Sequence, residues 1–144
     1  MGNIIGVANS IKKVNYEDIQ GANLEHVLII NTLDKHEQKC LIKGTLDYTK
    51  EEEMINTLIK AAGGKGKHIY VYGKNYNDEK IYLKYNQLVM LGFTNVYVYP
   101  GGLFEWLLLQ DIYDIKNFQT NTIELDILKY KPKSFFFNNY LTNG

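Results

Sequence analysis

Two short apolar runs, His68–Tyr72 and residues 95–99, give the clearest pattern in the chain. Between them, residues 73–79 form a polar loop, and apolar positions then recur at helical spacing as far as Gly92. After the second run, two glycines precede a strongly apolar segment, residues 103–109. This order predicts strand, loop, helix, strand, glycine turn and helix. Because backbone N–H groups at a helix N-terminus attract anions, the loop 73–79 is the first place to expect a small-molecule site.

The residues before this stretch continue the alternation of strands and helices. Residues 26–30 form a continuous apolar run, which is typical of a strand buried on both faces of a parallel sheet. Residues 14–15 and 40–46 predict two shorter strands, and residues 17–21 predict a short helix. Thr49 is the predicted N-cap of a longer helix with three glutamates in its first turn, and residues 63–67 end that helix. The alternation predicts an α/β fold with a parallel sheet.

The apolar helix at residues 103–109 has to be covered on more than one side. We expect the C-terminal part of the chain to fold back over it through the apolar residues Ile123, Leu125, Ile127, Leu128 and Tyr130. We predict a single domain, residues 1–144, in which residues 1–13 and 134–144 are candidates for extended termini. The three successive phenylalanines at 135–137 are either a packed extension or an exposed docking tail.

Composition and charge exclude several classes of function. The chain has 16 basic and 16 acidic residues, so no overall field attracts nucleic acid or an anionic membrane. The single cysteine, Cys40, excludes an intramolecular disulfide and a Cys-rich zinc site, and it fits a reducing, cytoplasmic compartment. The histidines at positions 26, 36 and 68 lack the spacing of metal ligands. We therefore predict no metal, no cofactor and no nucleic-acid partner.

The N-terminal Met1-Gly2-Asn3 leaves one alternative open. N-myristoylation requires Gly2 together with Ser or Thr at the sixth position, which here is Gly6. An unmodified N-terminus is therefore favoured, and membrane association is expected only if Gly2 is acylated. No apolar run approaches the roughly 20 residues needed to cross a bilayer.

Four motifs in this order resemble those of a rhodanese-like domain. One of them is residues 69–72 with the loop that follows, which resemble the strand and the active-site loop of the family. Residues 27–33 resemble the strand that ends in Asp-x-Arg, and residues 41–46 resemble the His-Ile-Pro-Gly-Ala-Ile segment. Residues 91–96, followed by Gly101-Gly102 and then by Trp106, resemble the closing signature of the family. The resemblance covers most of the chain. It implies a three-layer α/β/α fold around a mostly parallel sheet of about five strands.

The resemblance also implies a catalytic cysteine in the loop after the fourth strand, where loop N–H groups hold a thiolate and its persulfide. This loop has no cysteine and consists of Gly73, Lys74, Asn75, Tyr76, Asn77, Asp78 and Glu79. The family position falls at Gly73, or at Tyr76 if the loop is a shifted variant. Asn31-Thr32-Leu33 replaces the Asp-x-Arg pair, and Leu41 replaces the histidine. The core pattern is retained while the reactive and charged positions are lost.

The leading hypothesis is a catalytically inactive rhodanese-like domain that acts as a binding or regulatory module. The candidate ligand-binding residues are Lys74, Asn75, Tyr76 and Asn77, with an unidentified protein or a small anion as the partner. Two alternatives remain. The first is a sulfurtransferase that works through Cys40 or receives a persulfide from elsewhere, and the second is a myristoylated, membrane-associated adaptor.

Overall fold

Three parallel strands form the centre of the molecule, in the order β1 (Val27–Asn31), β2 (His68–Tyr72) and β3 (Val96–Tyr99). The structure is a computed structural model, and it describes residues 11–62 and 66–137. All five residues of β1 are buried, as the continuous apolar run predicts. Consecutive side chains of a strand point to opposite faces, so each strand contributes to both sides of the sheet.

The sheet has three strands rather than the five expected, and the two missing strands are reduced to single bridges. Lys13 forms a parallel bridge with Val98, and Thr45 forms a parallel bridge with Ile29. The N–H of Leu46 also donates to the carbonyl of Ile29 at 2.8 Å. The segments at 14–15 and 40–46 therefore lie beside the edges of the sheet, but they are too short to extend the ladder. The α/β fold class with a parallel sheet is confirmed.

Within the described residues, four α-helices surround the sheet: α1 (Tyr16–Gln20), α2 (Glu51–Ala62), α3 (Lys80–Met90) and α4 (Gly102–Ile112). Three 3₁₀ helices, Lys35–Glu37, Tyr48–Lys50 and Ile127–Tyr130, occur in the connections. Side chains from α2 and α3 pack on one face of the sheet, around Ile30, Val71 and Val98. Side chains from α1 and α4 pack on the other face, around Ile29 and Tyr72. Helices on both faces of the sheet give the three-layer α/β/α arrangement.

Helix α2 begins differently from the prediction. The capping side chain is that of Asp47, which accepts hydrogen bonds from the N–H of Thr49 at 2.9 Å and from its hydroxyl at 2.8 Å. A 3₁₀ turn then leads directly into Glu51. The prediction of Thr49 as the N-cap was wrong because the helical path starts two residues earlier. The predicted end of α2 at the glycines falls partly on residues 63–65, which lie outside the described residues.

The C-terminal part of the chain does fold back onto α4, but through a different set of residues. Tyr130 is buried and Ile127 packs partly against the same cluster, whereas Ile123, Leu125 and Leu128 are exposed. Phe118 supplies the rest of the cover, with its ring 5.2 Å from that of Trp106. The side chains of Phe135, Phe136 and Phe137 are all exposed, and residues 138–144 lie outside the described part.

Candidate functional site

The candidate site lies where β1 and β2 end and where α3 and α4 begin. Gly73 directly follows β2, and the loop 73–79 connects this strand to α3. The first N–H groups of α4 bind the loop backbone: Leu103 donates to the carbonyl of Gly73 and Phe104 to that of Lys74, both at 2.9 Å. These N–H groups are therefore committed to holding the loop and are not free for a ligand.

The carboxylate of Asp78 occupies the centre of the loop. One oxygen, Oδ2, accepts from the N–H of Lys74 at 3.1 Å and from the hydroxyl of Thr32 at 3.0 Å. The other oxygen, Oδ1, accepts from the N–H of Lys80 at 3.0 Å. A negatively charged group of the chain itself thus accepts two of the N–H groups near the start of α3, those of Lys74 and Lys80.

Gly73, one of the two candidate positions for the family cysteine, has no room for a side chain in this structure. A Cβ atom on Gly73 would point at the carboxylate of Asp78, overlapping it, and would stand 2.9 Å from Thr32 Oγ1. Tyr76 instead has 67% of its surface exposed and does not fill the loop. The space next to the strand end, where a cysteine side chain would stand, is thus filled by Asp78.

The predicted ligand-binding residues differ in how far they are available. Lys74 Nζ forms an ion pair with Glu37 Oε2 at 2.7 Å. Asn75 is buried, and its amide donates to the carbonyl of Tyr130 at 2.9 Å while its side-chain oxygen accepts the N–H of Asn77 at 2.9 Å. Only the side chains of Tyr76 and Asn77, among these four residues, are exposed. Their role in ligand binding stays a prediction.

Asn31, which replaces the acidic residue of the family motif, has a structural role. Its side-chain oxygen accepts from the N–H of Leu33 at 3.0 Å and from Gln38 Nε2 at 2.8 Å. Its Nδ2 donates to Gln38 Oε1 at 3.1 Å. A neutral amide pair meets its hydrogen-bonding needs here without a counterion, so this position needs neither the Asp nor the Arg of the motif.

Cys40 has the environment of an unreactive thiol. It is buried, and its Sγ donates to the carbonyl of Thr122 at 3.5 Å. Burial raises the pKa of the thiol, because the thiolate loses the solvation that water provides. Since the thiolate is the nucleophile, a raised pKa opposes sulfur chemistry at this position.

One group of possible metal ligands occurs in the described part of the chain, formed by Asp34, His36 and Glu37. Their nearest donor atoms lie within 4.8 Å of one another. Both carboxylates already have cationic partners, because Asp34 pairs with Lys80 at 3.0 Å and Glu37 pairs with Lys74. The group is better described as the acidic half of two ion pairs than as a metal site. His26 and His68 lie outside it.

Comparison with known proteins agrees with this architecture. The family model of the rhodanese-like domain matches residues 17–109, which is more than half of the chain. The chain belongs to the rhodanese-like domain family. This confirms the resemblance inferred from the motifs. The matched region contains β1 to β3, the loop 73–79 and most of α4.

Among the solved structures that resemble this rhodanese-like domain, two come from the Alr3790 protein of Anabaena sp.. One, described as the Alr3790 protein, is 21% identical, covers 90% of this chain and 92% of that chain, and has a TM-score of 0.53. The other, of its rhodanese-like domain, is 23% identical, covers 67% and 99%, and has a TM-score of 0.46. The first supports the fold alone. Comparison with curated proteins gave no match.

Two further predictions concern membranes. Among residues 11–62 and 66–137, no helix has the length and apolar character required to cross a bilayer. Gly2, the candidate acylation site, lies outside the described residues, so the adaptor alternative stays untested.

Proposed function

We propose that this rhodanese-like domain does not transfer sulfur and instead serves as a binding module for another protein. The observation that carries the proposal is the filled space next to Gly73. A rhodanese-type reaction needs a thiolate at the end of the strand and free N–H groups around it. Here a glycine directly follows the strand, and the carboxylate of Asp78 accepts the N–H groups of Lys74 and Lys80.

Electrostatics support the loss of activity. Thiosulfate and a persulfide are both anionic, and the carboxylate of Asp78 already lies against the N–H groups of Lys74 and Lys80. The nearest loop cation, Lys74, is neutralised by Glu37. Cys40 offers no substitute, because its thiol is buried and protonated at neutral pH.

A protein partner fits the loop better than a small anion does. An anion would have to displace Asp78 from three hydrogen bonds. A protein surface needs no such exchange, since it can contact the exposed Tyr76 from outside. Tyrosine is well suited to this role because it combines a large apolar ring with a hydroxyl group.

The absence of catalysis is tested with the purified full chain, thiosulfate and cyanide, by measuring thiocyanate. We expect no turnover above that of buffer, either for the wild-type protein or for Cys40→Ser. Turnover at a rate typical of the family would overturn the proposal. If that turnover disappeared in Cys40→Ser, the sulfurtransferase alternative would replace it.

The binding role is tested by placing a photo-crosslinking residue at position 76 and, as a control, at position 60 on the exposed side of α2. We expect the crosslinking residue at position 76 to give a discrete adduct with a protein partner, and we expect no such adduct from position 60. Identical adducts from both positions would contradict a specific role for the loop, since Lys60 lies on a different face.

A further inference from the structure

A cavity of about 730 Å³ lies on the α1 and α4 side of the sheet, away from the loop 73–79. Its lining includes four buried apolar side chains, those of Ile19, Ile29, Ile42 and Trp106. All four belong to the core cluster on this face of the sheet. The volume lies within the range of roughly 300–1,000 Å³ that small-molecule sites occupy. The cavity therefore has the size and apolar floor of a ligand site.

The walls of the cavity are tied together by contacts between distant parts of the chain. Gln20 Nε2 in α1 donates to the carbonyl of Asn117 at 2.8 Å. The N–H of Lys43 donates to the carbonyl of Gln119 at 3.0 Å, and Trp106 Nε1 donates to the same carbonyl at 3.1 Å. These bonds connect three of the walls.

Leu24 also lines the cavity. Its side chain lies against Gly44, where an added Cβ would stand 2.8 Å from Leu24 Cδ1. The side chain is nevertheless half exposed, since 50% of its surface is accessible. It presents apolar surface at the mouth of the cavity, next to the exposed Lys43.

The charged residues that line the cavity are Glu17, Lys43 and Lys116, so positive charge exceeds negative charge by one. All three are exposed, which places them at the rim above the buried floor. Among the described residues, the ion pairs found do not involve Lys43 or Lys116. Two lysines without carboxylate partners above an apolar floor complement a molecule with an anionic head and an apolar body.

We propose that this cavity binds a small amphipathic anion, namely a carboxylate with an unbranched apolar chain. The chain lies against the half-exposed Leu24 and over the small accessible parts of Ile29, Ile42 and Trp106, and the carboxylate accepts hydrogen bonds from Lys43 and Lys116. Apolar contact contributes to the affinity, and the lysines select the sign of the head group. The inference does not depend on the loop 73–79, so it stands or falls independently of the proposed lack of catalysis.

The structure provides its own reporter for the test, because Trp106 is the only tryptophan in the chain and lines the cavity. The full-length protein is titrated with decanoate below its critical micelle concentration while tryptophan emission is recorded. We expect a saturable change in emission. Decyltrimethylammonium, which has the same apolar chain and a cationic head, should bind at least about fivefold more weakly. Acetate, which lacks the chain, should leave the emission unchanged.

The double variant Lys43→Gln/Lys116→Gln should weaken decanoate binding by about fivefold, since exposed charge pairs contribute modestly. The matched control is Lys50→Gln/Lys60→Gln, which removes the same charge from exposed sites outside the cavity and should bind as the wild type does. Leu24→Glu places a negative charge at the mouth and should weaken binding without altering the core. Circular dichroism checks that each variant is folded.

Three results would overturn the inference. The first is an absence of saturable decanoate binding to the wild-type protein. The second is equal binding of decanoate and decyltrimethylammonium, which would mean that the head group is not recognised. The third is equal weakening in the two lysine double variants, which would indicate a general effect of net charge and not a site at Lys43 and Lys116.

Discussion

At the scale of single residues, the loop 73–79 is held by a complementary pair of positions. Gly73 leaves room for the carboxylate of Asp78, and Asp78 fills that room. The sequence showed that the cysteine was missing and that the start of α3 was acidic. It did not show that Asp78 and Thr32 meet, because Thr32 is 46 residues away and only the parallel pairing of β1 with β2 brings it there.

We expect Gly73→Ala to lower the free energy of unfolding by about 2 kcal/mol, because the new methyl group would overlap the Asp78 carboxylate. Chemical denaturation of the variant and the wild type measures the difference.

Asp78→Ala should also be destabilising, by about 1–2 kcal/mol, because it removes the carboxylate that accepts the N–H of Lys74 and the hydroxyl of Thr32. The same denaturation experiment measures this change.

A double-mutant cycle provides the control for this pair. In Gly73→Ala/Asp78→Ala the overlap is gone, so the double variant should be more stable than the sum of the two single effects predicts. Additive effects would show that the two positions do not share the same space.

At the scale of elements, the periodicity located the three strands and four α-helices of the described residues to within about three residues. The edge segments were less predictable. Residues 14–15 and 40–46 have the composition of strands, but the bridges to the sheet are single ones, at Lys13 beside the first segment and at Thr45 in the second. The Gly101-Gly102 pair of the closing signature was informative for a physical reason. Gly102 has a φ of +70°, a backbone conformation that favours glycine, and it packs directly against the loop backbone.

Gly102→Ala should therefore be strongly destabilising, by about 2–3 kcal/mol, since a Cβ would lie 2.7 Å from the carbonyl oxygen of Gly73. Thermal or chemical unfolding measures this cost. Gly21→Ala is the matched control, because Gly21 has a φ of −88° and an added Cβ would meet only the carbonyl of Glu17, at 3.5 Å. Its effect should stay within about 0.5 kcal/mol, and equal effects at the two glycines would contradict the explanation.

At the scale of the whole molecule, the order of strands and helices was sufficient to predict the layers but not the contacts that cross them. The hydrogen bond from the Asn75 side chain to the carbonyl of Tyr130 joins residues 55 positions apart and has no local signal in the sequence. The same is true of the cavity beside Trp106, whose walls come from α1, the turn at Lys43 and residues 116–119. Periodicity reports which face of an element is buried, but it does not identify the partner of each polar group.

Two of the core tyrosines, Tyr72 and Tyr99, are buried in a way that makes the stability of the molecule depend on alkaline pH. Tyr72 is fully buried, and its hydroxyl accepts the N–H of Ile42 at 3.1 Å and bonds Thr45 Oγ1 at 2.8 Å. The hydroxyl of Tyr99 donates to Glu105 Oε1 at 2.6 Å. Burial raises the pKa of both tyrosines well above the usual value of about 10, and Glu105 raises that of Tyr99 further.

A raised pKa in the folded state means that the unfolded chain loses these protons first as the pH rises. Stability should therefore be unaffected by the two groups below pH ~10 and should fall above it, by up to about 1.4 kcal/mol per pH unit for each tyrosine. Urea unfolding at a series of pH values measures the slope. In Tyr72→Phe/Tyr99→Phe, the slope of the free energy of unfolding against pH should correspond to about two fewer protons released on unfolding. This should hold even though the variant is less stable at neutral pH. Tyr76→Phe, which changes an exposed side chain, should keep the wild-type slope, and a reduced slope in that variant would show that burial is not the cause.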